Sequence, residues 1–342
     1  MAALRPRDLL SGTLLARLGG TWDAEGGSAD AARTVSRDIA RLAEAGYLKV
    51  GLPPEFGGLG STLRQVACGQ RRLARSAPQT ATAVNAHLYW TGAAADAYRA
   101  GDDSARWILL EAAHGALFGA GHGAPGNDLR FANPNSRCEL AGEMGYRFLS
   151  PSVLSSVTPV WDWAAVHGIT AHGIAAQGIA AQGTTGGQRP PDAVLAFAGR
   201  GSRCAPAFRV ARVLPAGAPS DVFTTSAVAW GNSLIASVRY ADARQAFNDA
   251  LIAFDRRYSA PADGHPLDQW PVAEAGLRLD AMKATIARVT HPWPLVREPG
   301  LDLGGQQLIG VYTMRHQVDD GADHVYRLIR QFASAAPAVA VL

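Results

Sequence analysis

The 342-residue chain changes character twice, after Leu117 and again near Ala241, and this partition limits the fold more than any single residue does. Before Leu117, apolar residues recur at helical spacing. Between Ala31 and Gly46, Val35, Ile39, Leu42 and Ala43 mark one side of a helix, while Arg33, Arg37, Asp38, Arg41 and Glu44 fall elsewhere on the wheel. Gly46 is a natural stop. Pro53-Pro54, followed by Gly57-Gly58 and Gly60, dictates an irregular loop over 51–60, because proline removes a backbone donor and glycine permits positive φ. Helical patterns resume over Thr62–Arg75, Pro78–Arg99 and Asp103–His114.

The middle of the chain reads as β. Glycine-rich turns separate the short runs Tyr146–Leu149, Ala164–Ile169, Ala193–Ala198 and Phe208–Leu214. A local duplication, Gly-Ile-Ala-Ala-Gln at 173–177 and again at 178–182, reads as an expanded hairpin or barrel loop, since closure entropy rises only slowly with length. Helices return over Ala241–Arg257, Leu267–Thr290 and Leu303–Ser334, punctuated by Pro261, Pro266, Pro292, Pro294 and Pro299. Core packing accounts for the apolar faces of the last two: Leu277, Leu279, Met282, Ile286 and Val289, then Leu308, Val311, Met314, Val318, Val325 and Ile329. The expected fold class is α+β, with an amino-terminal helical domain over 1–115, a middle β domain over 116–240 and a carboxy-terminal helical domain over 241–342.

Composition narrows the function classes. With 48% apolar and 18% charged residues the chain is globular rather than disordered. Its formal charge of +3 comes without a long basic run, which argues against a nucleic-acid partner. Cys68, Cys138 and Cys204 are odd in number and far apart, offering neither a disulfide framework nor a metal-ligand spacing, so a cytoplasmic location is expected. The uncharged segment Trp163–Gln188 is too rich in Gly, His, Thr and Gln to span a membrane, and Arg5, Arg7, Asp8 and Arg17 break any secretory apolar run. The nine histidines form no metal signature, and no nucleophile elbow or phosphate-binding loop stands out.

Local sequence adds a family resemblance. The helix end Leu42-Ala43-Glu44-Ala45-Gly46-Tyr47, followed by Gly51 through Gly60 with its Pro-x-x-x-Gly-Gly-x-Gly pattern, resembles the amino-terminal signature of acyl-CoA dehydrogenase-like flavoproteins. A second signature of that family is similar to Gly121-His122-Gly123-Ala124-Pro125-Gly126-Asn127-Asp128, where Asn127 stands at the usual serine and His122 at the usual glutamate. A third resembles Tyr146 through Ser156; Ser156 keeps the flavin-facing hydroxyl, Ser152 replaces a lysine and Leu154 replaces an aromatic. The resemblance implies a middle β-barrel between two helical domains, the last too short for a complete four-helix bundle. It also implies FAD, or alternatively FMN, held by Gly126, Asn127, Asp128, Ser155 and Ser156.

Within that resemblance, removal of an α proton from an acyl thioester needs a carboxylate base. After Glu143 the glutamates are Glu274 and Glu298, and Glu274 is the catalytic candidate, although a carboxylate near a helix start is also favoured by the macrodipole alone. His122, Tyr89 and Trp90, with His87 beside them, are substrate-pocket candidates whose bland reading is loop and packing residues. The leading expectation is α,β-desaturation of an acyl thioester or related small substrate. The alternatives are a reduced-flavin monooxygenase of the same fold, and a cofactor-free binding protein or subunit of a heteromeric enzyme. Implied partners are a homo-oligomer or a paralogous subunit, and an electron-transfer flavoprotein or a flavin reductase.

Overall fold

A computed structural model describes residues 4–18, 27–122, 137–141, 145–148, 153–154, 160–170, 192–199, 208–215, 221–257, 266–291 and 303–334. Its amino-terminal helices are α1 (Pro6–Leu9), α2 (Gly12–Leu15), α3 (Gly27–Glu44), α4 (Leu63–Ala74), α5 (Pro78–Arg99) and α6 (Arg106–Ala113). Among the described residues seven strands follow: β1 (Phe118–His122), β2 (Arg137–Ala141), β3 (Gly145–Phe148), β4 (Val153–Leu154), β5 (Trp163–Thr170), β6 (Asp192–Gly199) and β7 (Phe208–Pro215). The chain closes with α7 (Val222–Arg257), α8 (Pro266–Thr290) and α9 (Leu303–Ser334).

Local chemistry explains several boundaries. At the start of α4, the Thr62 hydroxyl accepts from the Gln65 amide at 3.4 Å while the Gln65 side chain accepts from the Thr62 amide at 2.9 Å, a reciprocal cap. Pro78 opens α5, where a missing N–H costs nothing. The 51–60 loop forms as the sequence dictates: Gly57 and Gly60 take φ of 76° and 61°, and the Gly60 amide donates to the Leu52 carbonyl at 2.7 Å. A Cβ on Gly58 would stand 2.1 Å from the Leu52 carbonyl oxygen, so this glycine is needed for space.

Three expectations are corrected. Asp38 is not on the polar side of α3; it is fully buried, accepts from the Thr80 hydroxyl at 3.0 Å and stands 3.5 Å from the Arg41 guanidinium. Helix α7 begins at Val222 rather than near Ala241. Residues Phe223 to Ser233 are almost all buried on every side, so the segment has no amphipathic period to read, and its β-branched and aromatic residues mimic a strand. Leu277, placed by periodicity with the core face of α8, is exposed instead.

β5 organises the sheet. One edge pairs antiparallel with β6 from Trp163 opposite Gly199 to Ile169 opposite Ala193, and β6 pairs antiparallel with β7. The other edge is shared in succession by β1, parallel at Trp163–Ala165, and β2, parallel at Ile169–Thr170. β3 extends β2 and β4 extends β1, both antiparallel. The result is a small mixed sheet against helices, an α+β arrangement. Barrel closure is not among the described pairings.

Two apolar cores result. The larger surrounds α5 and joins α3, α4, α6, the first half of α7 and the sheet, with Trp90, Phe118, Phe197, Phe223 and Trp230 among its largest side chains. The smaller lies between α7, α8 and α9 and includes Tyr240, Phe247, Leu279, Met282, Ile286, Met314, Val318 and Val325.

Candidate functional site

Aromatic side chains concentrate where α5 meets the sheet and α7. Trp90 stands edge-on to Phe197 at 4.9 Å and stacks near Phe223 at 6.0 Å, and Phe197 in turn meets Phe118 at 5.7 Å and Trp107 at 5.4 Å. Tyr89 packs its ring 4.7 Å from that of Trp90. Tyr89 and Trp90 are both buried. The Tyr89 hydroxyl has no hydrogen-bond partner among the described residues, and burial pushes its pKa well above the ordinary phenol range.

His87, one helical turn earlier, is a structural junction. Its Nδ1 accepts the Phe118 amide at 3.3 Å, which makes Nε2 the protonated nitrogen, donating to the Leu48 carbonyl at 2.9 Å. Burial drives its pKa down to about 4, against smaller raising effects from the Leu48 contact and the Asp162 charge. The ring is therefore neutral at pH 7 and ties the turn at Leu48, ahead of the 51–60 loop, to the start of β1. Asp162 assists from the other side, accepting the Leu117 amide at 2.9 Å.

The candidate flavin-binding residues Gly126, Asn127, Asp128, Ser155 and Ser156 lie outside the described residues, as do the duplicated 173–182 segment and Glu298. Their anchors do not. Gly121 pairs with Leu154 and His122 with Val153, so β1, which precedes Gly126, lies antiparallel to β4, which precedes Ser155. His122 ends β1.

Glu274 stands on α8, and none of its hydrogen-bond or ion-pair partners among the described residues lies on α5 or in the sheet. His324 Nε2 donates to its Oε1 at 2.9 Å, and Arg278 stands 3.5 Å from the same oxygen. Arg327 donates to His324 Nδ1 at 3.2 Å, completing a chain of contacts that joins α8 to α9. Tyr89 and Trp90 are thus brought together, while Glu274 is engaged elsewhere.

Sequence reasoning missed a buried polar set on α7. Asn232 Oδ1, Ser233 Oγ and Ser237 Oγ are enclosed without a hydrogen-bond partner among the described residues. Trp230, one turn before Ser233 and on the same side of the helix, donates to Asp96 on α5 at 2.8 Å. The available signal was the scatter of Thr224, Thr225, Ser226, Asn232, Ser233 and Ser237 through an otherwise apolar run, since polar groups are costly in such a place unless something meets them. Among the described residues no group of three or more His, Cys, Asp or Glu is placed to hold a metal, and no helix is long and apolar enough to cross a membrane.

No family model and no curated protein matches this sequence. Solved structures do. A nitrososynthase from Micromonospora carbonacea var. africana superposes with a TM-score of 0.68 at 18% identity, over 96% of this chain and 86% of that one. KijD3 in complex with FMN and dTDP-3-amino-2,3,6-trideoxy-4-keto-3-methyl-D-glucose gives 0.65 at 20% identity, over 96% and 81%. An active-site mutant of nitroalkane oxidase crystallised with 1-nitrohexane gives 0.64 at 13% identity, over 96% and 85%. The chain has the acyl-CoA dehydrogenase-like fold.

Proposed function

We propose that the chain is a flavin-dependent oxidoreductase, and specifically one that works with reduced flavin and oxygen on a small organic substrate. The observation that carries the reading is the match over 96% of the chain to a fold whose solved members include KijD3 with FMN and XiaF with FADH2. Hydroxylase and nitrososynthase structures of the same fold favour oxygen chemistry over desaturation.

The chemistry of the described side chains fits a flavin. An isoalloxazine ring has broad apolar faces and an edge of nitrogen and oxygen atoms. The buried polar atoms of Tyr89, Asn232 and Ser233 that lack a partner among the described residues are groups of the second kind, whereas Trp90, Phe118, Phe197 and Phe223 pack on one another and leave no face open. In this reading Gly126, Asn127, Asp128, Ser155 and Ser156 hold the cofactor from segments leaving β1 and β4, and His122, Tyr89 and Trp90 border the substrate. Bound flavin, FAD or FMN, would supply the redox chemistry. A three-part division, the closed barrel and a cytoplasmic location belong to the same proposal.

Acyl-thioester desaturation with Glu274 as base is the competing reading. The engagement of Glu274 by His324 and Arg278 speaks against it, and oxygen activation needs no α-proton base. Oxygen consumption that depends on both a flavin reductase and an added substrate tests the proposal; a panel would include amino sugars carried on dTDP, nitroalkanes and acyl thioesters. Substrate-dependent reduction of bound flavin, with electrons passing to an electron-transfer flavoprotein, would replace it with the desaturation reading.

A further inference from the structure

A buried run of hydrogen bonds with a fixed direction ends on an unmet donor, the Asn85 amide. Gln70 sets the direction: its Nε2 donates to the Ala81 carbonyl at 2.9 Å, and a carbonyl only accepts. Gln70 Oε1 is therefore the atom that accepts the Tyr47 hydroxyl, at 3.0 Å. Burial holds the Tyr47 pKa well above the ordinary phenol range, so that hydroxyl keeps its proton. Gly69 leaves it room, since a Cβ there would stand 2.7 Å from the oxygen. Gln70 Nε2 also donates to Asn85 Oδ1 at 2.5 Å. Turning the Asn85 amide over would set two NH2 groups against each other, so Asn85 Nδ2 is left as a donor, enclosed and without an acceptor among the described residues.

Tyr89 stands one turn on from Asn85 on the same side of α5, and its hydroxyl is likewise enclosed and unpartnered among the described residues. Gly92 and Asp96 continue that side, and Trp230 of α7 meets both. The side of α5 turned to α7 thus carries two polar groups that packing does not use. Both are neutral. Helix α5 has no lysine, and its single arginine, Arg99, is engaged by Asp96. A carboxylate or phosphate brought to Asn85 and Tyr89 would meet no cation from α5, and an alkyl chain would leave the amide donor unmet. We infer that Asn85 and Tyr89 are specificity-determining residues that bind an uncharged oxygen of the substrate, a carbonyl, ether or hydroxyl, with Asn85 Nδ2 donating to it. Gln70 and Tyr47 are positioning residues that hold the amide in that sense. This assignment rests on the reading that Tyr89 borders the substrate, and adds that the substrate is neutral and oxygen-bearing where it meets α5.

Ligand-observed NMR on the full chain, with and without added FMN, tests it with cyclohexanone, cyclohexanol, methylenecyclohexane and cyclohexanecarboxylate as probes of similar size. The ketone and the alcohol are expected to bind at least about tenfold more tightly than the other two. Asn85→Leu should erase that preference. Asn85→Asp, whose outer carboxylate oxygen only accepts, should keep the alcohol and lose the ketone, an inversion that an asparagine with a purely structural role does not produce. Should Asn85→Leu misfold by circular dichroism, Tyr89→Phe is read in its place and should reduce the preference at least about threefold. Wild-type protein that binds all four probes alike or none of them would overturn the inference. So would an Asn85→Leu variant that loses stability and keeps the preference, the result expected of an amide that meets only a buried water. Flavin retention measured on the same samples separates the two readings: wild-type protein that holds flavin and shows no preference loses only the subsite, and a preference in protein that retains no flavin keeps the subsite and removes the flavin enzyme.

Discussion

The Trp230 indole donates to the Asp96 carboxylate at 2.8 Å, joining two helices across 134 residues of sequence. Arg99 holds the same side chain, 3.1 Å from the other carboxylate oxygen. A buried carboxylate is tolerated only where such donors meet it. The contact also fixes the indole against Gly92, where a Cβ would stand 2.4 Å from the ring.

Trp230→Phe removes the donor while keeping most of the apolar volume. The expected loss is about 2 kcal/mol, the range for hydrogen bonds to charged groups, read as a lower midpoint in urea with an unchanged slope. No loss would mean that the indole N–H contributes nothing to the α5–α7 contact.

Gly92→Ala should cost about 1–3 kcal/mol through overpacking against the Trp230 ring. Combining it with Trp230→Phe should be less than additive, because the smaller ring yields room, and a double-mutant cycle in denaturant measures the coupling.

His87 sets a pH dependence of stability. Its folded pKa of about 4 lies below the ordinary 6.5, so the unfolded chain binds the proton first as pH falls. The contribution is fully present above pH 6.5, declines between 6.5 and 4, and is lost below that. Its size is up to roughly 3 kcal/mol. Unfolding midpoints measured every half pH unit should show this decline, and His87→Gln should flatten the slope in that window.

Much of the helical framework was legible because its periods are regular. The patterns at Pro78–Arg99 and Leu303–Ser334 coincide with α5 and α9, and the glycines at 57 and 60 do adopt positive φ. The start of α7 was not legible, since a helix buried on all sides carries no contrast between faces. Leu277 failed for the converse reason: α8 has apolar residues on two sides, and periodicity alone does not say which is covered. Strands β1 and β2 were missed because they are short and interrupted by glycine, histidine, arginine and glutamate, and β4 because two residues, Val153 and Leu154, establish no alternation. Around the candidate site, Tyr89 and Trp90 were visible as an aromatic pair. The role of Trp230 was not, because its partner Asp96 is distant in sequence.

Glu274→Gln should leave turnover within about threefold of wild type under the monooxygenase reading. It should cost less than about 1 kcal/mol of stability, since the pair with His324 is partly exposed. A loss of turnover above a thousandfold, with KM unchanged, would restore Glu274 as a catalytic base.

The central claim is that the chain binds flavin. The most direct measurement is the visible absorption spectrum of purified protein after incubation with excess FAD or FMN, oxidised and dithionite-reduced, followed by anaerobic desalting and reoxidation. The account predicts retained flavin in at least one redox state, at close to one per chain and reduced by Ser156→Ala. Desalted protein without flavin in either state, while its circular-dichroism spectrum shows it folded, would contradict the account.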